Sequence, residues 1–120
     1  KAIAPSAPFL NDYKDYFALV DWPGNWILKA AEERGISEDD LYKSLSYFDV
    51  KNFTDKIECP VLMAIGLQDP VCPPHTNFAG FNHIKTEKSW ICYPEAGHNV
   101  WEQKGWPETK QKFLDSFLMK

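Results

Sequence analysis

No apolar stretch in this 120-residue chain approaches the roughly 20 residues a bilayer-spanning helix needs, so a membrane anchor is not expected here. No cluster of Lys or Arg is present either. The 13 basic residues are scattered, the net charge is -4 and the pI is near 5.3, which argues against a general nucleic-acid binder. Cysteine is scarce. Cys59, Cys72 and Cys92 are too few and too odd in number for a disulfide framework, and spacings of 13 and 20 residues match no zinc pattern. They read as free thiols packed like small hydrophobes. No initiator Met and no signal-peptide architecture stands at Lys1, so the chain is expected to be a piece of something longer. The compartment stays open, with the cytoplasm favoured and an upstream signal not excluded.

What is present is a foldable composition. Hydrophobic residues make up 44%, charged residues 25% and aromatics 15%, which excludes a disordered or collagen-like chain. This length supports one domain at most, burying roughly 65% of its unfolded surface. Residues 1–120 are therefore read as a single, partial domain.

Along the chain, Lys1–Leu10 reads as a short apolar strand bounded by Pro5 and Pro8. Asn11 is a candidate cap for a helix carrying Tyr13, Tyr16, Phe17 and Val20 on one side. Trp22-Pro23-Gly24 breaks it, and Pro23 suits the first turn of a second helix whose apolar face would be Trp26, Ile27, Ala30 and Ala31. Gly35 is the expected stop. Ser37 caps a third helix, with Glu38, Asp39 and Asp40 in the first turn where the dipole favours them and Leu41 and Leu45 as its stripe. Tyr47–Phe53 is a looser joint, and 52–57 suggests one more helical turn. Residues 60–66 form a continuous apolar run without alternation, as expected of a strand buried on both faces. A loop over 67–74, a helix over 75–84 with Phe78, Phe81 and Ile84 inward, a strand over 88–93, a loop over 94–98 and a helix from near Pro107 to the C-terminus complete the order. Strand, helices, strand, helix, strand, helix marks a parallel α/β sheet with about three strands and flanking helices. Three strands leave two long edges, so the architecture looks incomplete.

Ligands of open α/β sheets bind outside the carboxyl ends of the strands. One such loop holds Gln68, Asp69, Cys72 and His75, and the other holds Glu95, Gly97 and His98. If the two strands are adjacent, Asp69 and His98 come within reach, and a carboxylate that holds one imidazole nitrogen leaves the other free to take a proton. Spacing alone favours a turn Asp and a surface His over that pair, since both residues are common in loops. His75 reads better as a cap-adjacent polar group and His83 as a cation at a helix end; the three histidines together fit no metal signature. No serine lies in Gly-x-Ser-x-Gly; the nearest match, Gly35-Ile36-Ser37-Glu38-Asp39, fails at its fifth position. Cys72 as a thiolate nucleophile lacks a supporting signal. Trp22, Trp26, Trp90, Trp101 and Trp106 offer a sugar-stacking platform as one reading but read mainly as core or interface anchors, with Trp101, three residues after His98, the best candidate for a pocket wall. The acidic residues of 32–40 read as a solvated helix face and cap.

Several segments nevertheless resemble one family. Tyr47-Phe48-Asp49, Asn52-Phe53, residues 57–63, the long run from Gly66 through Asp69-Pro70-Val71-Cys72-Pro73-Pro74-His75 to Asn82, and Tyr93-Pro94-Glu95-Ala96-Gly97-His98 look like the acetyl xylan esterase / cephalosporin-C deacetylase family. The likeness is to the C-terminal part of that α/β-hydrolase fold and extends to Ala7-Pro8-Phe9-Leu10. It implies a serine esterase that removes acetyl groups from xylo-oligosaccharides and small acetyl esters. Asp69 would be its triad acid and His98 its base; Trp101 stays, on its position alone, the candidate substrate-binding residue. The serine and the oxyanion donors would lie upstream, so the chain alone would be inactive. No metal or organic cofactor is implied, and the intact protein would be a homo-oligomer. The other reading is a non-catalytic carbohydrate-binding or interaction module derived from a hydrolase.

Overall fold

The computed structural model describes residues 1–118; Met119 and Lys120, into which the last helix was expected to run, lie outside the described residues. The apolar run forms strand β1 (Val61–Gly66), with all six residues buried. It pairs in parallel with β2 (Lys88–Tyr93), from Val61 opposite Lys88 to Gly66 opposite Tyr93.

The expected first strand is realised differently. Ile3 and Ser6 make isolated parallel bridges to Val61 and Ala64 on the other edge of β1. The backbone bonds explain why. Ile3 N–H donates to Pro60 O at 3.0 Å, Leu62 N–H to Ile3 O at 3.1 Å, Ala64 N–H to Pro5 O at 3.0 Å and Ala7 N–H to Ala64 O at 3.0 Å. The rung that Pro5 would donate is missing because proline has no N–H. The third strand of the sheet is thus an interrupted ladder over residues 3–7.

Side chains of β1 alternate between two cores, as successive strand residues must. Leu62 and Ala64 join Ala7, Cys72, Ala96, Val100 and Trp106 under helix α5 (Trp106–Leu118). Val61, Met63 and Ile65 join Phe81 and Ile84 under helix α4 (Pro74–His83). Helices therefore cover both faces, which is why β1 shows no polar alternation.

Between Ala7 and β1 the chain makes a helical excursion: α1 (Tyr13–Leu19), α2 (Asp21–Glu33) and α3 (Glu38–Leu45). Trp22 is non-helical, at φ -105° and ψ 134°, so the regular part of α2 begins at Pro23. Gly35, at φ +67°, ends α2 with two bonds: Gly35 N–H to Glu32 O and Ile36 N–H to Ala31 O, both 2.9 Å. This is the glycine stop that the sequence suggests. Ser37 Oγ accepts from Asp40 N–H at 3.2 Å and caps α3. Single 3-10 turns at Val50–Asn52 and Thr54–Lys56 return the chain to the sheet.

Two expectations are corrected. Asn11 does not cap α1; it is buried against Gly80, where an added Cβ would come within 2.3 Å of Asn11 Oδ1. The cap comes from far along the chain, since the buried carboxylate of Asp49 accepts from Asp12 N–H at 2.9 Å and Tyr13 N–H at 3.0 Å. Trp26 does not face inward; it is 74% exposed, and of the expected face only Ala31 is fully buried. Among the described residues no helix is long and apolar enough to cross a membrane.

Candidate active site

Because β1 and β2 end opposite one another at Gly66 and Tyr93, their following loops start at the same level. Backbone bonds then zip them together: Leu67 N–H donates to Tyr93 O at 3.1 Å, and Gln68 N–H to Ala96 O at 2.9 Å. The approach is so close that a Cβ on Gly66 would fall 2.3 Å from Gly97 O and 2.6 Å from Ala96 O. A glycine at a strand end is the sequence sign of such an approach, and the sequence reading did not use it.

Three residues past Gly66 stands Asp69, 5% exposed. Its Oδ1 accepts from Val71 N–H and Cys72 N–H, both at 2.8 Å, which locks the carboxylate into a turn. Its Oδ2 lies 3.0 Å from His98 Nδ1. With Nδ1–H donating to the carboxylate, Nε2 carries the lone pair, and no hydrogen bond engages Nε2 among the described residues. The His98 side chain is about one-third exposed (34%), and its ring stands edge-on to Trp101, with centroids 5.2 Å apart at 88°. The two loops thus bring together the residues that strand-end reasoning paired, and Trp101 sits beside them.

A hollow of about 280 Å³ opens beside the imidazole, lined by Ser6, Phe9, Trp22, Val71, Cys72 and Trp101 among others. Of these, Trp101 was the expected pocket wall, Trp22 and Cys72 were weighed in other roles, and Ser6, Phe9 and Val71 were missed. Ser6 closes the interrupted ladder, and its Oγ accepts from the buried Trp106 Nε1 at 2.9 Å. Cys72 is buried, and desolvation, reinforced by the Asp69 carboxylate, pushes its thiol up to about 12. It is a protonated packing group at neutral pH, not a thiolate nucleophile. Tyr16, buried beneath the site, also has its hydroxyl pushed up, first by burial and then by Cys72 and Asp69.

The other histidines lie elsewhere. His75 follows Pro74 in the first turn of α4, exposed, with Nε2 2.6 Å from Asp15 on α1. His83 is the exposed last residue of α4. Asp69, Cys72 and His98 hold ligand-type atoms within 4.8 Å of one another, as do Asp12, Asp15 and His75. In the first set both carboxylate oxygens are already engaged, by two amides and the imidazole. Ser37 lies in the cap of α3, where it serves the helix.

Comparison with known proteins is consistent across three levels. Residues 1–116 match the family described as Acetyl xylan esterase (AXE1). The Acetyl esterase Axe7A of Xylanibacter ruminicola is 38% identical over 55 residues, covering 46% of this chain and 12% of that protein. The solved Acetyl Xylan Esterase 1 from Thermoanaerobacterium sp. JW/SL YS485 is 33% identical with a TM-score of 0.84, over 95% of this chain and 37% of its own. The acetyl xylan esterase from Paenibacillus sp. R4 is likewise 33% identical, with a TM-score of 0.82, over 98% of this chain and 38% of its own. The chain therefore spans little more than a third of these solved relatives.

Proposed function

Since the chain belongs to the acetyl xylan esterase family and carries part of an α/β-hydrolase fold, we propose that it supplies the acid and the base of a serine esterase acting on acetyl esters. The observation that carries this reading is the Asp69–His98 hydrogen bond at 3.0 Å at the carboxyl ends of paired strands. Asp69 is held by two backbone amides, so it presents Oδ2 to the imidazole in one orientation. That fixes the tautomer with the proton on Nδ1 and keeps Nε2 as the base.

In the intact protein, His98 Nε2 takes the proton of a serine hydroxyl as that oxygen attacks the ester carbonyl. The imidazolium, stabilised by Asp69, returns the proton to the departing alcohol. Water, deprotonated by the same nitrogen, then releases acetate from the acetyl-enzyme. The serine comes from a Gly-x-Ser-x-Gly segment outside this chain, since none of Ser6, Ser37, Ser44, Ser46, Ser89 and Ser116 has that context. This chain by itself is accordingly expected to be inactive. Acetylated xylo-oligosaccharides are the proposed natural substrates, with small acetyl esters as surrogates.

The test is made on the intact protein. His98→Ala and Asp69→Asn should each lower kcat for acetyl-ester hydrolysis on the order of 10⁴-fold, the Asn variant through the wrong tautomer. Full turnover in either variant would overturn the assignment. Saturable binding of acetylated xylo-oligosaccharide without any turnover by the unmodified protein would favour the binding-module reading instead.

A further inference from the structure

The segment 69–74 is short of backbone donors. Pro70, Pro73 and Pro74 have no N–H. The Val71 and Cys72 amides both donate to Asp69 Oδ1, at 2.8 Å each. The Asp69 N–H reaches Gly66 O only at a long 3.4 Å. The turn that grips the carboxylate is therefore tied to the rest of the fold mainly through what its carbonyls accept.

Those carbonyls face α4. Asn77, 1% exposed, donates from Nδ2 to Cys72 O at 2.7 Å and to Pro73 O at 3.0 Å. Pro73 O has other partners, the Thr76 hydroxyl at 2.8 Å and the Thr76 N–H at 3.0 Å. Cys72 O has none besides Asn77 among the described residues. Both hydrogens of the Asn77 amide are thus in use, while its Oδ1 is buried with no partner among the described residues. Turning the amide over would set that oxygen against two carbonyl oxygens, so its orientation is fixed by its donors.

The helix behind Asn77 is well anchored. It packs on β1 through Phe81 and Ile84, and Gly80 O accepts from the Thr54 hydroxyl at 2.7 Å. From α4 the bonds run in one line: Asn77 Nδ2 to Cys72 O, Cys72 N–H to Asp69 Oδ1, and His98 Nδ1 to Asp69 Oδ2. Core packing locates the Cys72 side chain, whereas directional bonds orient the peptide planes on either side of it. A tilt of those planes would turn Oδ2 away from the imidazole.

We propose that Asn77 is a positioning residue of this site: by holding the Cys72 carbonyl it fixes the turn that aims the Asp69 carboxylate at His98. The proposal rests on Asp69 and His98 acting as acid and base, and adds to them a residue on α4 that hydrogen-bonds to neither.

The experiment follows hydrolysis of p-nitrophenyl acetate by the intact protein. Asn77→Leu keeps the branching at Cγ and removes the donors. It should lower kcat about tenfold or more, with KM within about twofold. Asn77→Ser, smaller and one bond short of Cys72 O, should do the same, and serves if the leucine variant does not fold. Thr76→Val removes a bond to Pro73 O alone from an equally buried neighbour and should leave kcat within about twofold. Because Asn77 acts through Asp69, either Asn77 substitution added to Asp69→Asn should change the residual kcat by less than about twofold. An unchanged kcat in the Asn77 variants, an equal loss in Thr76→Val, or the same fractional loss with and without Asp69→Asn would overturn the proposal and leave the acid–base reading in place. Full turnover by Asp69→Asn itself would remove that reading and this proposal together.

Discussion

Asp69 and Cys72 show how three residues of spacing divide the labour of one turn. The carboxylate collects two amides and an imidazole, while the thiol beside it is pressed into the core. A thiol raised to about 12 makes a signed prediction. The folded state keeps its proton where the unfolded chain releases it, so the contribution is complete below the unfolded value of 9.0 and is lost as pH rises towards 12. Tyr16 is raised above 10.0 and acts in the same direction. Urea midpoints should therefore fall between pH 9 and pH 12, and Cys72→Ala should flatten part of that fall. In native protein at pH 8, a thiol reagent should modify the partly exposed Cys59 and Cys92 well before Cys72. Of these residues, Asp69 and His98 are legible from the strand–loop pattern because chemistry follows strand ends. Asp49 and Tyr16 are not, because their partners, Asp12 for the one and Asp69 and Cys72 for the other, lie far along the chain, at separations no local pattern encodes.

At the scale of elements, periodicity and caps set most boundaries correctly. Residues 88–93 were read as a strand and form one, and the 60–66 run forms β1 one residue later. The Gly35 stop and the Ser37 cap also stand as read. Where reading and structure part, tertiary contacts decide: Pro5 breaks the first strand into bridges, and Asp49 replaces Asn11 as the cap of α1. The junction of β1 with the His98 loop is the most constrained point. Gly66→Ala places a methyl against two carbonyl oxygens and must move one loop. It should cost about 1–3 kcal/mol in urea unfolding and, on the proposed role of His98 as base, lower acetyl-ester turnover of the intact protein at least tenfold by shifting that residue. Gly97→Ala is the contrast. Its added Cβ meets nothing nearer than 3.8 Å, so stability should change by less than about 0.5 kcal/mol.

Across the whole molecule, burial is uneven. The two clusters on the faces of β1 hold most of the core, whereas α3 buries no residue, and Tyr47 and Phe48 just beyond it are 71% and 70% exposed. The extents of 54 × 31 × 17 Å describe this elongated shape. Few buried contacts mean low local opening energies. Amide hydrogen exchange should therefore be fastest in α3 and slowest in β1, with β2 and α4 closer to β1; uniform protection along the chain would contradict this division. The α/β class was legible because a doubly buried strand has a distinctive composition. The path of the excursion was not, since amphipathic helices of similar length pack in many arrangements.

The zipped loops after β1 and β2 also bear on how such chains can vary over evolutionary time. An added or deleted residue between Gly66 and Asp69, or between Tyr93 and His98, would slide the carboxylate past the imidazole and break amide bonds that join the two segments. The stretch between Ala7 and Val61 is held by fewer such points, chiefly Asn11 against Gly80, Asp49 at the head of α1 and Thr54 on Gly80 O. Insertions and deletions are thus expected to be tolerated better there, while the spacing of the Asp69–His98 pair stays fixed.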